Sequence, residues 1–189
     1  MKFYHMARKG YLSQGQVIQS RHIDNIQCMD EYTSSMLQDY FNNTFTNGVC
    51  VHGEHYFAVG GGYTYIYPIT ELLLEKGRQA IDKNLPSRVN AIFSLDNIDR
   101  FNQLCSLMKV NLEDYDIWEV ESENSFRGDM FLIDTIQGLV ISNQSILIAS
   151  MLIDYYWKGE PLQKFLKSDE PFWEYLLQPP VKVIKKVNL

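Results

Sequence analysis

The sequence has only three cysteines, Cys28, Cys50 and Cys105, and no Cys-x-x-Cys pair in 189 residues. An odd, widely spaced set argues against a disulfide framework and against a zinc ribbon. Positive charge is also scarce: 17 lysines and arginines stand against 23 acids, a net charge of −6. A protein that tracks duplex phosphate carries a basic face, and here only Lys182, Lys185 and Lys186 gather. Nonspecific nucleic-acid binding is therefore disfavoured, whereas a base-specific or single-stranded substrate entering one pocket is not. Long apolar runs are missing. The longest, residues 146–153, is interrupted by Ser150 and is too short to span a bilayer. The first ten residues, MKFYHMARKG, lack the apolar core of a signal peptide. No membrane association and a reducing, cytoplasmic setting are the expectations. The run Gly60–Gly61–Gly62 has neither the GxGxxG spacing nor the GK[ST] ending of a phosphate loop, and it reads as a flexible turn.

What is present is a core. Hydrophobic residues make up 46 % and aromatics 13 % of the chain, enough for one domain over residues 1–189. Residues 2–7 read as a strand that begins almost at once, with a short second strand at 16–19. Residues 29–42 carry a helical stripe of Met29, Tyr32, Met36, Leu37, Tyr40 and Phe41. Residues 43–69 read as a hairpin or a long loop, so about 30–70 is set aside as an insertion or a helical and loop region. Thr70 stands where an N-cap would, ahead of a helix running to about Lys83. Residues 89–95 (VNAIFSL) read as a buried strand, Asp96 as the cap of the next helix, and 115–121 (YDIWEVE) as an alternating strand. Residues 130–133 (MFLI) read as a further strand, and 144–157 as an apolar helix ending at Gly159. Near the end, 172–177 (FWEYLL) and 181–187 (VKVIKKV) are two strands separated by Pro179–Pro180. The pattern is α+β, without regular βαβ alternation.

Several residues carry chemistry. Cys50, His52 and His55 fall within CVHGEH and are ligand types that zinc accepts. No helical His-x-x-x-His or second ligand cluster accompanies them, so a polar loop is the favoured reading and no metal is expected. His5 lies in an apolar first strand, where a lone histidine usually serves structure. Arg88, beside Ser87 and Asn90, has the planar fork that clamps a pyrophosphate, or it pairs with a neighbouring acid. Glu174 lies between Trp173 and Tyr175 in a short apolar strand. It faces solvent, or it faces a pocket where a cation or hydrogen-bond donor must answer its charge.

A first-strand histidine, an Arg-x-x-x-x-Phe strand and a late strand opening on glutamate occur in that order. This order resembles the ADP-ribosyltransferase superfamily, and most closely a bacterial and phage branch carried as a domain of unknown function. The resembling segments are 3–18, 75–101, 115–121 and 172–184. The resemblance implies a split, mixed β-sheet with flanking helices that holds NAD in an extended cleft. It implies that His5 hydrogen-bonds a ribose hydroxyl, that Phe93 stacks on nicotinamide, and that Glu174 is the catalytic glutamate. The same carry-over puts Arg8, Arg88 and Asn90 beside the dinucleotide. Phe93 departs from the family's tyrosine by lacking a phenol. His5 and Arg8 are three residues apart, so on a flat strand they face opposite sides and only one enters the cleft.

The implied activity is NAD-dependent mono-ADP-ribosyl transfer to a macromolecular acceptor, protein or nucleic acid, by an effector or toxin-type enzyme. An inhibitory partner protein would suit such a role. The rivals are an NAD glycohydrolase with water as acceptor, a non-catalytic module binding a nucleotide or a protein on the same sheet, and, last, metal-dependent hydrolysis at residues 50–55.

Overall fold

A computed structural model describes residues 2–24, 26, 30–57, 66–142, 146–167 and 170–188. Cys28, Met29, the glycine run at 60–62 and the first half of the TYIY run lie outside the described residues. In chain order the strands are β1 (Phe3–Arg8), β2 (Val17–Ile18), β3 (Ile92–Ser94), β4 (Tyr115–Glu121), β5 (Ser125–Asp129), β6 (Trp173–Leu177) and β7 (Val181–Val187). The helices are α1 (Glu31–Thr44), α2 (Val51–Phe57), α3 (Ile66–Ile81), α4 (Phe101–Met108), α5 (Met130–Ile141) and α6 (Ile146–Trp157). None of the described helices is long and apolar enough to cross a membrane.

The strands form two sheets, β1-β4-β7-β2 and β3-β6-β5, and the protein is α+β. Every strand pairing among the described residues is antiparallel, which corrects the expected mixed sheet. No βαβ crossover returns a strand parallel to its neighbour, and each long connection delivers its strand reversed. The sheets touch edge to edge at one place, where Tyr4 and Leu95 exchange backbone hydrogen bonds of 2.8 and 2.9 Å. Pro179 and Pro180 carry the chain from β6 in one sheet to β7 in the other. Proline lacks the N–H a ladder needs, so the two C-terminal strands, expected as neighbours around a turn, belong to different sheets.

Alternation along β6 sorts its side chains. Tyr175 and Leu177 pack between the sheets with Phe3, Trp118, Val120 and Val183. Leu176 packs on the other side, against Leu74 of α3, Leu132 and Ile136 of α5, and Leu152 of α6. Each such aliphatic side chain stabilises the fold by about 1.5–3 kcal/mol on burial. Glu174 shares this helix-facing side and is buried.

Several local expectations change. Residues 130–133 are helical, because Asp129 caps α5 by accepting from the Phe131 N–H at 3.1 Å. Within 43–69, residues 51–57 form α2 in place of a hairpin or loop. Helix α3 begins before Thr70, at Ile66, with Pro68 in its first turn, where an amide N–H would have no helical partner. Asp96 accepts from the Tyr175 hydroxyl at 2.8 Å, and Asn97 caps the following turn instead. Strand β3 is shorter than 89–95, because Asn90 and Ala91 donate back to the Ser87 carbonyl in a turn.

Candidate functional site

The segment between α3 and β3 is tied to α3 before it delivers Arg88. Arg78 forks onto Glu75 at 2.7 and 3.0 Å and donates to the carbonyls of Lys83 and Leu85 at 2.6 and 2.9 Å. Ser87 Oγ donates to Glu75 Oε2 at 2.7 Å. The next side chain, Arg88, therefore enters the helix-facing layer in a fixed direction.

There it meets two carboxylates. Nε and Nη2 donate to Glu71 at 2.8 and 3.0 Å. Nη1 donates to Glu174 Oε1 and, at 2.7 Å, to the Tyr156 hydroxyl. Tyr156 in turn donates to Glu174 Oε1 at 2.7 Å. The guanidinium lies 4.9 Å from the centre of the Phe93 ring, within cation–π range. His52 of α2 stacks on the same ring at 4.5 Å, with its Nε2 3.2 Å from Glu71 Oε1 but off line for a hydrogen bond. Glu71, Arg88, Tyr156 and Glu174 are all buried, Glu174 to 4 % exposure. Two carboxylates thus share one guanidinium, and His52 adds a second positive charge when protonated.

Burial alone would raise the Glu71 carboxyl, but the Arg88 guanidinium and His52 hold it well below the usual carboxylate range. Burial opposes the charge of Arg88, and Glu174 and Glu71 outweigh it, so the guanidinium stays protonated. Burial pushes the Tyr156 phenol well above its ordinary value; Arg88 works against this and Glu174 with it. The phenol is a fixed donor to Glu174. Sequence reasoning left Arg88 between a phosphate clamp and an acid partner, and the acid pairing is what forms. Glu174 faces inward, its charge answered by a cation.

The other expected residues stand around this set. His5 is half-buried, and its Nδ1 lies 2.7 Å from the Phe93 carbonyl oxygen, across the gap where β1 and β3 diverge. Burial lowers its pKa, against the raising effect of that contact. His5 thus meets the backbone of Phe93, while Arg88 and, through it, Glu174 meet the ring; no hydrogen bond joins His5 to Glu174. Arg8 is exposed, and the unbroken register of β1 puts it on the opposite face from His5. Asn90 lines a separate open groove beyond the far end of β6. Cys50 is buried between the sheets, His52 turns to Glu71, and His55 stacks against Tyr56, so the three residues of CVHGEH diverge. No group of three metal-ligating side chains gathers among the described residues.

A family profile described as a protein of unknown function (DUF2441) matches residues 3–189, nearly the whole chain. The chain belongs to the DUF2441 family. A search of the curated proteins finds no match. In this DUF2441 chain, sequence reasoning found Arg88, Phe93 and Glu174 but missed Glu71, Tyr156 and His52. The signal for Glu71 was its spacing from Glu75. The two carboxylates are four apart around the apolar run Leu72–Leu74, so they share one helix face. Tyr156 was hidden in an apolar helix, where only its phenol hints at a polar partner inside the DUF2441 core.

Proposed function

We propose that the protein consumes NAD and transfers ADP-ribose to a macromolecular acceptor, protein or nucleic acid. The observation that supports this most is the convergence on Phe93 of three side chains far apart in the chain: His5 at its carbonyl, Arg88 at its ring, and Glu174 on Arg88. This is the order of residues in which the sequence resembles ADP-ribosyltransferases.

In this reading the bond between ribose C1′ and the nicotinamide nitrogen breaks, and nicotinamide leaves as a neutral molecule with the bonding pair. The ribose passes through a loose oxocarbenium ion, which a nearby carboxylate stabilises. Glu174 would hold the 2′-hydroxyl and take the proton as the acceptor's nucleophilic atom bonds to C1′. Arg88 and His52 cover the Phe93 ring at rest, so nicotinamide binding would displace one of them, and Glu174 would exchange part of its hold on Arg88 for the ribose. The test is to incubate purified protein with NAD and follow nicotinamide by chromatography, with and without candidate acceptors. Release that needs an acceptor supports transfer, and release without one indicates a glycohydrolase. No release under either condition overturns the enzymatic reading.

A specific observation favours a second reading, a nucleotide- or protein-binding module without turnover. Arg88 is fully engaged by Glu71 and Glu174, and Glu174 is almost inaccessible, a combination that rigidifies a core as readily as it serves a reaction.

A further inference from the structure

Beyond the C-terminal end of β6, on the far side from Glu174, an open groove of about 400 Å³ runs between the segment after β2 and the β6–β7 crossing. Its lining contains no charged side chain. Gln19, Asn47, Asn90 and Gln178 contribute four carboxamides, Ser20 a hydroxyl, and Pro179–Pro180 an apolar wall. Asn90 Oδ1 is buried without a hydrogen-bond partner, and leaving such an acceptor unpaired is costly. The Oε1 of Gln178 is already taken by Asn124 Nδ2 at 2.7 Å, which fixes that amide and leaves its N–H groups to donate.

We propose that this groove binds a nucleobase. The requirements follow from the lining. The ligand must be uncharged where it is held, since no ion faces it. It must bring an N–H donor to Asn90 and acceptors to the other amides. It must be flat enough to lie along two proline rings. The edge of a base alternates donors and acceptors in one plane, and carboxamides pair with such an edge through two hydrogen bonds at once. A volume of this size accommodates a nucleoside. The base comes either from the dinucleotide's own adenine or from a separate nucleotide or nucleic acid. The inference does not rest on the transferase reading, because binding here needs no turnover.

The experiment is ligand-observed NMR with the full chain and adenosine, guanosine, cytidine, uridine, NAD and ribose 5-phosphate as probes. At least one nucleoside is expected to bind through its base protons, and ribose 5-phosphate, which has no base, is not. Asn90→Ala should weaken that binding about tenfold, the equivalent of one hydrogen bond. Gln19→Ala, at an exposed position where folding is not at stake, should weaken it by a smaller factor. If NAD competes with the nucleoside, the dinucleotide's adenine is the natural occupant; if it does not, the base of a second molecule is. Failure of every nucleoside to bind at millimolar concentration, equal binding of ribose 5-phosphate, or affinity unchanged in both variants would overturn the proposal. A groove that fails in this way leaves the nicotinamide assay to stand or fall by itself.

Discussion

Arg88 and Glu174 form a buried ion pair that Tyr156 closes on a third side, its hydroxyl accepting from the guanidinium and donating to the carboxylate. Glu71 holds the other edge of the same guanidinium. Residues from α3, the turn before β3, α6 and β6 are thereby fastened at one point.

Removal of the cation should therefore be severe. Arg88→Met leaves two buried carboxylates facing each other, and breaking a buried pair in this way costs about 3–5 kcal/mol. Urea unfolding followed by tryptophan fluorescence measures it. Adding Glu71→Gln should recover part of the loss, because the two changes share a partner and are not additive. A loss below about 1 kcal/mol, the range of an exposed pair, would show that the pair is solvated in solution.

Glu174→Gln keeps the shape of the side chain and an oxygen for Tyr156. If the carboxylate stabilises a cationic ribose, nicotinamide release should fall by about 10²–10³ in protein whose near-ultraviolet circular dichroism is unchanged. Equal release by the variant and the parent chain would remove Glu174 from the chemistry.

His5 sets a pH window. Burial puts its folded pKa below the ordinary 6.5, so the unfolded chain takes up the proton first. Its contribution to stability is complete above about pH 6.5 and declines as pH falls through that value toward the folded pKa. Glu71, also depressed, loses its contribution only as pH falls below its ordinary 4.5, a separate and more acidic window. Melting temperature measured from pH 7.5 to 5 should fall less steeply in His5→Gln than in the parent chain. Superimposable slopes would show that the imidazole is not desolvated.

Gly128 in β5 lies directly against the Tyr156 ring, where an added Cβ would collide with the aromatic carbons. Gly128→Ala should destabilise by about 1–3 kcal/mol, as overpacking of a core does. It should also push the phenol away from Glu174. Gly138→Ala, at a helical site with open space, is the control and should be neutral or slightly stabilising. An unchanged melting temperature for Gly128→Ala would mean that the ring does not pack there.

The strands were legible where one physical signal acted alone. Alternation marked 115–121, and the proline pair separated 172–177 from 181–187. Where two periods fit the same letters, the reading failed. Four apolar residues at 130–133 suit a strand or a helix turn equally, and the decisive signal was Asp129, a capping residue one position upstream. Helix α2 is seven residues long with Gly53 at its centre, too short to show a helical period. Within the site, Arg88 and Glu174 stood out as charges in apolar surroundings. Their partners did not, because Glu71 passed as a helix-dipole residue and Tyr156 as part of an apolar stripe. Which charge answers which is decided by tertiary packing, and the chain separations of 17 and 86 residues leave no local trace.

The four-stranded sheet joins the first and last strands of the chain: β2 pairs only with β7, and β4 lies between β1 and β7. During synthesis, β2 has no neighbour to bond to until residues 181–187 have left the ribosome. Until then one edge of β4 also waits unpaired, and the apolar residues around Phe3 and Trp118 lack their cover from Val183. Contacts this distant in sequence form slowly, so the nascent polypeptide passes through a stage in which holdase chaperones find exposed strands to bind.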